Sequence, residues 1–131
     1  MKRKKPKSMH PLIKAQIRAK WSGEAVKAQI HALMGDDKEK LLAFASILFF
    51  VASGCAVYRG YSGDEPNYRI IRGAVNQLDD LNARGHITEQ DRGAILAGMN
   101  AAKDIIDNTP IEIVDEAALL YAQMSQKHNK E

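Results

Sequence analysis

Apolar residues recur at spacings of three and four along most of the chain, which is the period of α-helices buried on one face. The first such stretch lies between Pro11, which suits the first turn of a helix, and Gly35, which suits its end. Its apolar stripe consists of Ile13, Ile17, Trp21, Val26, Ile30, Leu33 and Met34, with Ser22-Gly23 as a point where the helix either continues or restarts. The pattern predicts an amphipathic first helix.

The second stretch, residues 41–58, holds no charged side chain and is flanked by charges on both sides. Asp36 or Asp37 precedes it and suits an N-terminal cap. Eighteen residues is the shortest length that crosses a bilayer, but the segment is rich in Ala, Ser and Gly. Two alternatives stay open: the central buried helix of a small bundle, which we favour, and a membrane-spanning segment.

Three further amphipathic helices follow the loop at residues 59–66. Thr88 to Asp91 resembles a capping box, and Thr109 to Glu112 has a threonine, a proline and a glutamate in the order of a helix start. Their apolar stripes are Tyr68, Ile71, Val75 and Leu78, then Ile95, Met99, Ala102 and Ile106, then Ile111, Val114, Ala118, Tyr121 and Met124.

No segment alternates like a half-buried strand over a useful length, so the fold class is all-α. The sequence predicts a single-domain bundle of about five helices over residues 10–127. Residues 1–9 are a basic flexible tail, and residues 128–131 a frayed C-terminus. Gly73, Gly93 and Gly98 fall inside helices, where each costs about 1 kcal/mol relative to Ala. Each marks either a close approach of two helices or simple tolerance.

The charge of the chain is divided unevenly. Nine of the nineteen Lys and Arg residues lie before Gly35, with Glu24 as the only acid there, so residues 1–34 carry a formal charge of +8. The rest carries ten bases and fifteen acids, a formal charge of −5. We define residues 2–27 as the basic arm. Such an arm attracts polyanions or an acidic protein face.

The arm carries our functional hypothesis: a non-enzymatic helical interaction or regulatory protein that engages an anionic partner, either nucleic acid or an acidic protein surface. In size and style the chain resembles compact accessory proteins of bacteria and their phages, and an inhibitor of a nucleic-acid-handling machine fits this shape. Trp21 would stack on an exposed base. A solubilising tail followed by an ordinary core helix is the alternative. The predicted partner-binding residues are Lys2, Arg3, Lys4, Lys5, Lys7, Lys14, Arg18, Lys20, Trp21 and Lys27.

No arrangement typical of catalysis or of a cofactor accompanies the arm. The four histidines are dispersed, and phosphate-binding glycine loops and paired metal-ligand motifs are absent from the sequence. Cys55 falls in the apolar second stretch, as expected of a buried thiol. A metal-dependent enzyme using Asp79, Asp80, His86, Glu89 and Asp91 is the weakest alternative, because acids at a helix start need no ligand. We expect no cofactor and a cytoplasmic location, and the apolar stripes leave a homo-oligomer open.

Overall fold

The computed structural model describes residues 9–60 and 63–129, with side chains up to Gln126. These residues form five α-helices and no strand, which confirms the predicted all-α bundle. Tail residues 1–8 lie outside the described residues, as do residues 130–131. Met9, assigned above to the tail, packs against the core. The helices are α1 (Pro11–Met34), α2 (Lys38–Tyr58), α3 (Pro66–Ala83), α4 (Glu89–Asp107) and α5 (Ile111–Asn129).

Local chemistry sets most of the helix starts. The Asp37 carboxylate accepts a hydrogen bond from the Lys40 amide at 3.1 Å, which caps α2 as predicted. At α4, Thr88 and Asp91 form a reciprocal capping box. Ser22-Gly23 does not interrupt α1, which runs unbroken from Pro11 to Met34.

Helix α2 lies at the centre and contacts each of the other four helices. Its buried residues, among them Leu41, Leu48 and Ala52, lie on one broad face, and residues on the opposite side are partly buried or exposed. Among the described residues it is the one helix long and apolar enough to cross a membrane, a test that the core helix of a soluble protein also passes. Membrane insertion would require α2 to leave the helices packed against it.

Contacts between side chains establish the helix directions. Asn67 meets Asp104 and Ala74 faces Gly98, so α3 and α4 run antiparallel as a hairpin. Likewise Phe50 meets Tyr121 and Gly54 faces Ala117, so α2 and α5 are antiparallel. Around α2 the order is α1, α4, α3, then a gap, then α5, because α3 and α5 share no extended contact. That gap leaves one face of the central helix uncovered.

The structure corrects the predicted orientation of α1. Its buried residues are Trp21, Ala25, Ala28 and Ala32, and only Ile17 of the large aliphatic residues is partly buried. Val26, Ile30 and Leu33 instead face outward. The reason is geometric: three alanines let α1 approach α2 and α4 closely, where larger side chains would hold it away. In the second half of α1 the apolar stripe Val26, Ile30 and Leu33 therefore marks a real helix face that is not the buried one, whereas Trp21 in the first half is buried.

The interior glycines divide into two kinds. A Cβ on Gly98 would collide with the Ala74 methyl group and lie 2.8 Å from the Phe49 ring, so this glycine permits the close approach of α4 to α3 and α2. An added Cβ on Gly73 or Gly93 would meet no neighbour within 4 Å, so packing does not require glycine at these two positions.

An ion pair between Arg84 and the buried carboxylate of Asp91 stabilises the α3–α4 turn. The Asp91 side chain is fully buried and receives hydrogen bonds from Arg84 at 2.7 and 3.0 Å, from Gln77 at 2.6 Å and from the Thr88 amide at 2.8 Å. The Arg84 guanidinium, with the Thr88 and Gln77 donors, holds the pKa of this carboxyl well below its usual range. The carboxylate thus closes the hairpin as a structural group.

Candidate interaction surfaces

Two of the predicted arm residues, Lys14 and Arg18, bind other helices of the bundle. The Lys14 ammonium lies 3.2 Å from the Glu112 carboxylate on α5. The Arg18 guanidinium donates to the carbonyl oxygens of Ile106 and Thr109, each at 2.8 Å. Those carbonyls lie at the end of α4 and in the turn to α5, where acceptors have no partner within the helix. Arg18 therefore acts as a cap for another helix.

A reciprocal contact occurs at the opposite end of the same helix pair. Arg92, near the start of α4, donates to the carbonyls of Ala32 at 3.2 Å and Gly35 at 2.9 Å, where α1 ends. Because α1 and α4 are antiparallel, the start of each helix lies beside the end of the other. Each arginine satisfies terminal carbonyls and places its charge at the negative end of a helix dipole.

The remaining arm residues have different environments. Trp21 is only 5% exposed and belongs to the hydrophobic core, so its ring is not available for stacking on a base. Lys20 and Lys27 are exposed on α1, and neither forms an ion pair with a described residue. The predicted sites Lys2, Arg3, Lys4, Lys5 and Lys7 lie outside the described residues. The arm residues that the structure describes therefore do not form one surface.

A groove follows the uncovered face of α2, between α3 and α5. It consists of two adjoining cavities of about 580 and 560 Å³, which share Phe50 and Ser53 as lining residues. We call it the α2 groove. Its lining comprises Leu42, Ser46, Phe49, Phe50, Ser53, Gly54, Val57 and Tyr58 from α2, Val75, Leu78, Asp79 and Asn82 from α3, and Ile113, Glu116, Ala117, Leu120 and Tyr121 from α5.

The charges that line the α2 groove are of one sign. Asp79 on the α3 wall and Glu116 on the α5 wall are acidic, and none of the described lining residues is Lys or Arg. Apolar side chains on the rim are well exposed, with Val57 at 58% and Leu120 at 50%. An apolar channel bordered by acids attracts a partner that is apolar on one face and basic at its edges.

A second apolar surface lies on α1. Val26 and Ala28 are about 200° apart around the helix, so the outward stripe lies opposite the buried one. Leu12, Val26, Ile30 and Leu33 are between 49% and 63% exposed. We call this surface the outer α1 face. Its positions alternate in steps of four and three, the spacing of a helix-pairing seam, through Leu12, Gln16, Ala19, Gly23, Val26, Ile30 and Leu33.

The predicted acidic cluster does not form a metal site. Asp91 is buried against Arg84, whereas Asp79, Asp80, His86 and Glu89 are exposed. Among the described residues, no three His, Cys, Asp or Glu side chains are placed to share a metal ion. As expected from the sequence, Asp91 takes part in the cap at the start of α4, but its carboxylate is fully buried rather than solvated.

Cys55 is buried in α2, as the sequence predicts. Burial raises the pKa of its thiol from 9.0 to about 11, although a hydrogen bond with Thr109 opposes the shift. At neutral pH the thiol is therefore protonated and shielded. Nucleophilic chemistry needs an accessible thiolate, so this geometry does not favour it.

Sequence reasoning missed both surfaces described above. The α2 groove depends on three helices that are distant in sequence, and no local pattern records the gap between α3 and α5. The outer α1 face did leave a signal, because α1 carries an aliphatic stripe and, opposite to it, an alanine stripe. Two apolar faces on one helix indicate two packing partners.

Comparison of the chain with protein-family models, with curated proteins and with solved structures gives no match.

Proposed function

We propose that this protein is a non-enzymatic interaction module that binds an amphipathic, basic α-helix of a partner in the α2 groove. One observation carries the proposal: the uncovered face of the central helix is mainly apolar, and the charged residues among the described lining residues are Asp79 and Glu116, both acidic. Helix-in-groove recognition uses such a channel, with the partner's side chains spaced at three and four residues.

The shape of the groove favours a helix over a small molecule. Small-molecule sites enclose most of their ligand, whereas this channel is open to solvent along α2 from Leu42 to Tyr58. Those residues span about 24 Å of helix, the length of four to five turns. A helix laid between α3 and α5 would cover the exposed rim residues Val57, Val75 and Leu120.

The direct test uses a fluorescently labelled model peptide of about eighteen residues, built from Leu on one helical face and Lys on the other. We expect its fluorescence anisotropy to rise on titration with the full chain, with micromolar affinity. A matched peptide carrying Glu in place of Lys should bind at least about tenfold more weakly, because Asp79 and Glu116 repel it. Equal affinity for the two peptides would contradict the proposal.

Two double variants locate the binding surface. Val75→Gln with Leu120→Gln replaces apolar groups on opposite walls of the groove, at positions that are 38% and 50% exposed. Leu119→Gln with Met124→Gln is the matched control, since both residues are more than half exposed on α5 and neither lines the groove. The wall variant should weaken the peptide complex about tenfold, and the control should not. Loss of binding in the control alone would place the site elsewhere.

A second candidate function, binding of an anionic partner through the basic arm, is favoured by the exposed Lys20 and Lys27. Here Lys14 and Arg18 contribute little, because each is engaged within the bundle. A labelled single-stranded oligonucleotide tests the idea. Binding that weakens steeply with salt, and weakens further when Lys20 and Lys27 become Gln, supports it. Absence of binding at low salt refutes it for nucleic acid.

A further inference from the structure

The molecule carries a groove and a helix face that complement each other in shape and charge. The α2 groove is apolar and lined by acids, and the outer α1 face is apolar and bordered by Lys20 and Lys27. The two lie on different sides of the bundle, because the inner face of α1 packs on α2 and α4 whereas the groove opens between α3 and α5. One molecule therefore cannot use both surfaces on itself.

We infer that the occupant of the α2 groove is α1 of a second copy of this chain. The arriving helix fills the gap between α3 and α5, so that α2 becomes surrounded on all sides. Val26, Ile30 and Leu33 enter the channel over Phe50 and Ser53. Lys20 and Lys27 lie on the same flank of α1, so both lysines face one of the two acidic walls of the groove. This inference rests on the proposed function of the groove and names its partner.

Charge selects this arrangement over a symmetric pairing of two α1 helices. In the helix-pairing seam of α1, Lys20 and Lys27 occupy the flanking positions on one side, and the opposite flank carries Ala15, Ser22 and Gln29. If two such seams faced each other, the lysines would have no acidic residue opposite them. In an antiparallel pair, the lysines of the two copies would also lie close to each other. The groove has one acid on each wall, Asp79 on α3 and Glu116 on α5, so the lysine-bearing flank of α1 faces an acid whichever way the helix lies.

The contact is heterologous, since a groove on one copy meets a helix on the next. Such contacts close into rings or extend into open chains, depending on the rotation between copies. Along the roughly 24 Å of the groove, a helix about 10 Å wide and half sunk in it buries about 750 Å² counting both partners. That is below the usual size of a stable interface, so we expect weak, reversible association with a dissociation constant on the order of hundreds of micromolar.

Sedimentation velocity on the full chain, from about 10 µM to 1 mM, tests the inference, with the weight-average mass expected to rise across this range. Two variants each disable one surface: Val26→Gln with Ile30→Gln on α1, and Val75→Gln with Leu120→Gln in the groove. All four side chains are at least 38% exposed, and glutamine is a good helix former, so the fold is retained. Circular dichroism and thermal melting verify that point.

Each variant alone should remain monomeric, because it lacks one half of the contact. An equimolar mixture should form a one-to-one dimer that does not grow, since one α1 and one groove stay intact between the two variants. The control Leu119→Gln with Met124→Gln should associate like the parent.

Four outcomes overturn the inference: a parent that is monomeric at 1 mM, a groove variant that still associates, a mixture that stays monomeric, or a control that loses association. The first of these leaves the proposed function standing if the basic model peptide still binds the groove. Both the proposed function and this inference are refuted if the peptide does not bind and the chain self-associates equally well with and without the groove substitutions.

Discussion

The close approach of α3 and α4 at Gly98 yields a sharp prediction, because the same substitution five residues away should have the opposite effect. Gly98→Ala adds a Cβ that would overlap the Ala74 methyl group and lie 2.8 Å from the Phe49 ring. The Ala74 methyl group is attached directly to the backbone and has no rotamer to relieve the contact. Accommodation therefore requires α3 and α4 to separate.

The magnitude follows from two opposing effects. Replacing a glycine inside a helix by alanine stabilises by about 1 kcal/mol, and overpacking of a dense core costs about 1–3 kcal/mol. Because two helices must move at Gly98, the upper part of that range applies, and we expect net destabilisation of about 2 kcal/mol. At Gly93, which has nothing within 4 Å of an added Cβ, only the gain remains. The two variants should therefore differ by about 3 kcal/mol in free energy of unfolding.

Urea denaturation followed by helical circular dichroism measures this difference, provided that the slope with denaturant is unchanged. In thermal melts we expect Gly98→Ala to lower the midpoint by roughly 8 °C and Gly93→Ala to raise it by roughly 4 °C. Gly73→Ala, on α3, should behave like Gly93→Ala. A neutral or stabilising Gly98→Ala would refute the packing of α3 against α4 described here.

Three further outcomes are expected. Arg18→Gln should lower the free energy of unfolding by about 1–3 kcal/mol in urea denaturation, because it removes the guanidinium donors to the Ile106 and Thr109 carbonyls and leaves Ile106 with the Thr109 amide at 3.2 Å. Lys20→Gln should change it by less than about 0.5 kcal/mol. Equal effects of the two variants would contradict the capping role of Arg18. Asp91→Asn should cost about 1–3 kcal/mol near neutral pH. Folding lowers the pKa of Asp91 from its ordinary value of 3.8, so the carboxylate stabilises the fold above that pH, and this stabilisation is lost as the pH falls below it. The difference in free energy of unfolding between the parent and Asp91→Asn should therefore shrink in acid. A difference that does not depend on pH would contradict the buried carboxylate. The thiol pKa of Cys55 is raised to about 11, so at pH 8 the native chain should react with a disulfide reagent far more slowly than the denatured chain. Rapid labelling of the native chain would contradict the burial of this thiol.

Several features of the fold were predictable because they depend on neighbouring residues. The Asp37 cap of α2 and the Thr88–Asp91 box of α4 each involve side chains and amides three residues apart, so the local sequence specifies them. The apolar composition of α2 likewise indicated a core helix, since a segment without charges has no side suited to water. The identity of the buried face of α1 was not predictable in this way.

The candidate surfaces were less accessible to sequence reasoning, and Arg18 shows why. A lysine- and arginine-rich helix looks like a binding arm when each charge is counted alone. Whether a given charge is available depends on what lies opposite to it, and for Arg18 that is the end of α4, about ninety residues away. Lys20, two residues further along, faces solvent instead. Two basic residues on one turn of helix thus have different roles, for reasons that no local pattern contains.

The sequence by itself determined which segments are helical, where most of them begin, and that the chain joins a basic arm to an acidic body. These properties follow from backbone propensities, caps and composition, which act over a few residues. Only the tertiary structure decided that α1 buries its alanines rather than its larger aliphatic residues, that Trp21 belongs to the core, and that α3 and α5 leave a gap over α2. Those outcomes depend on how closely distant helices fit together, because packing density is a property of the assembled core.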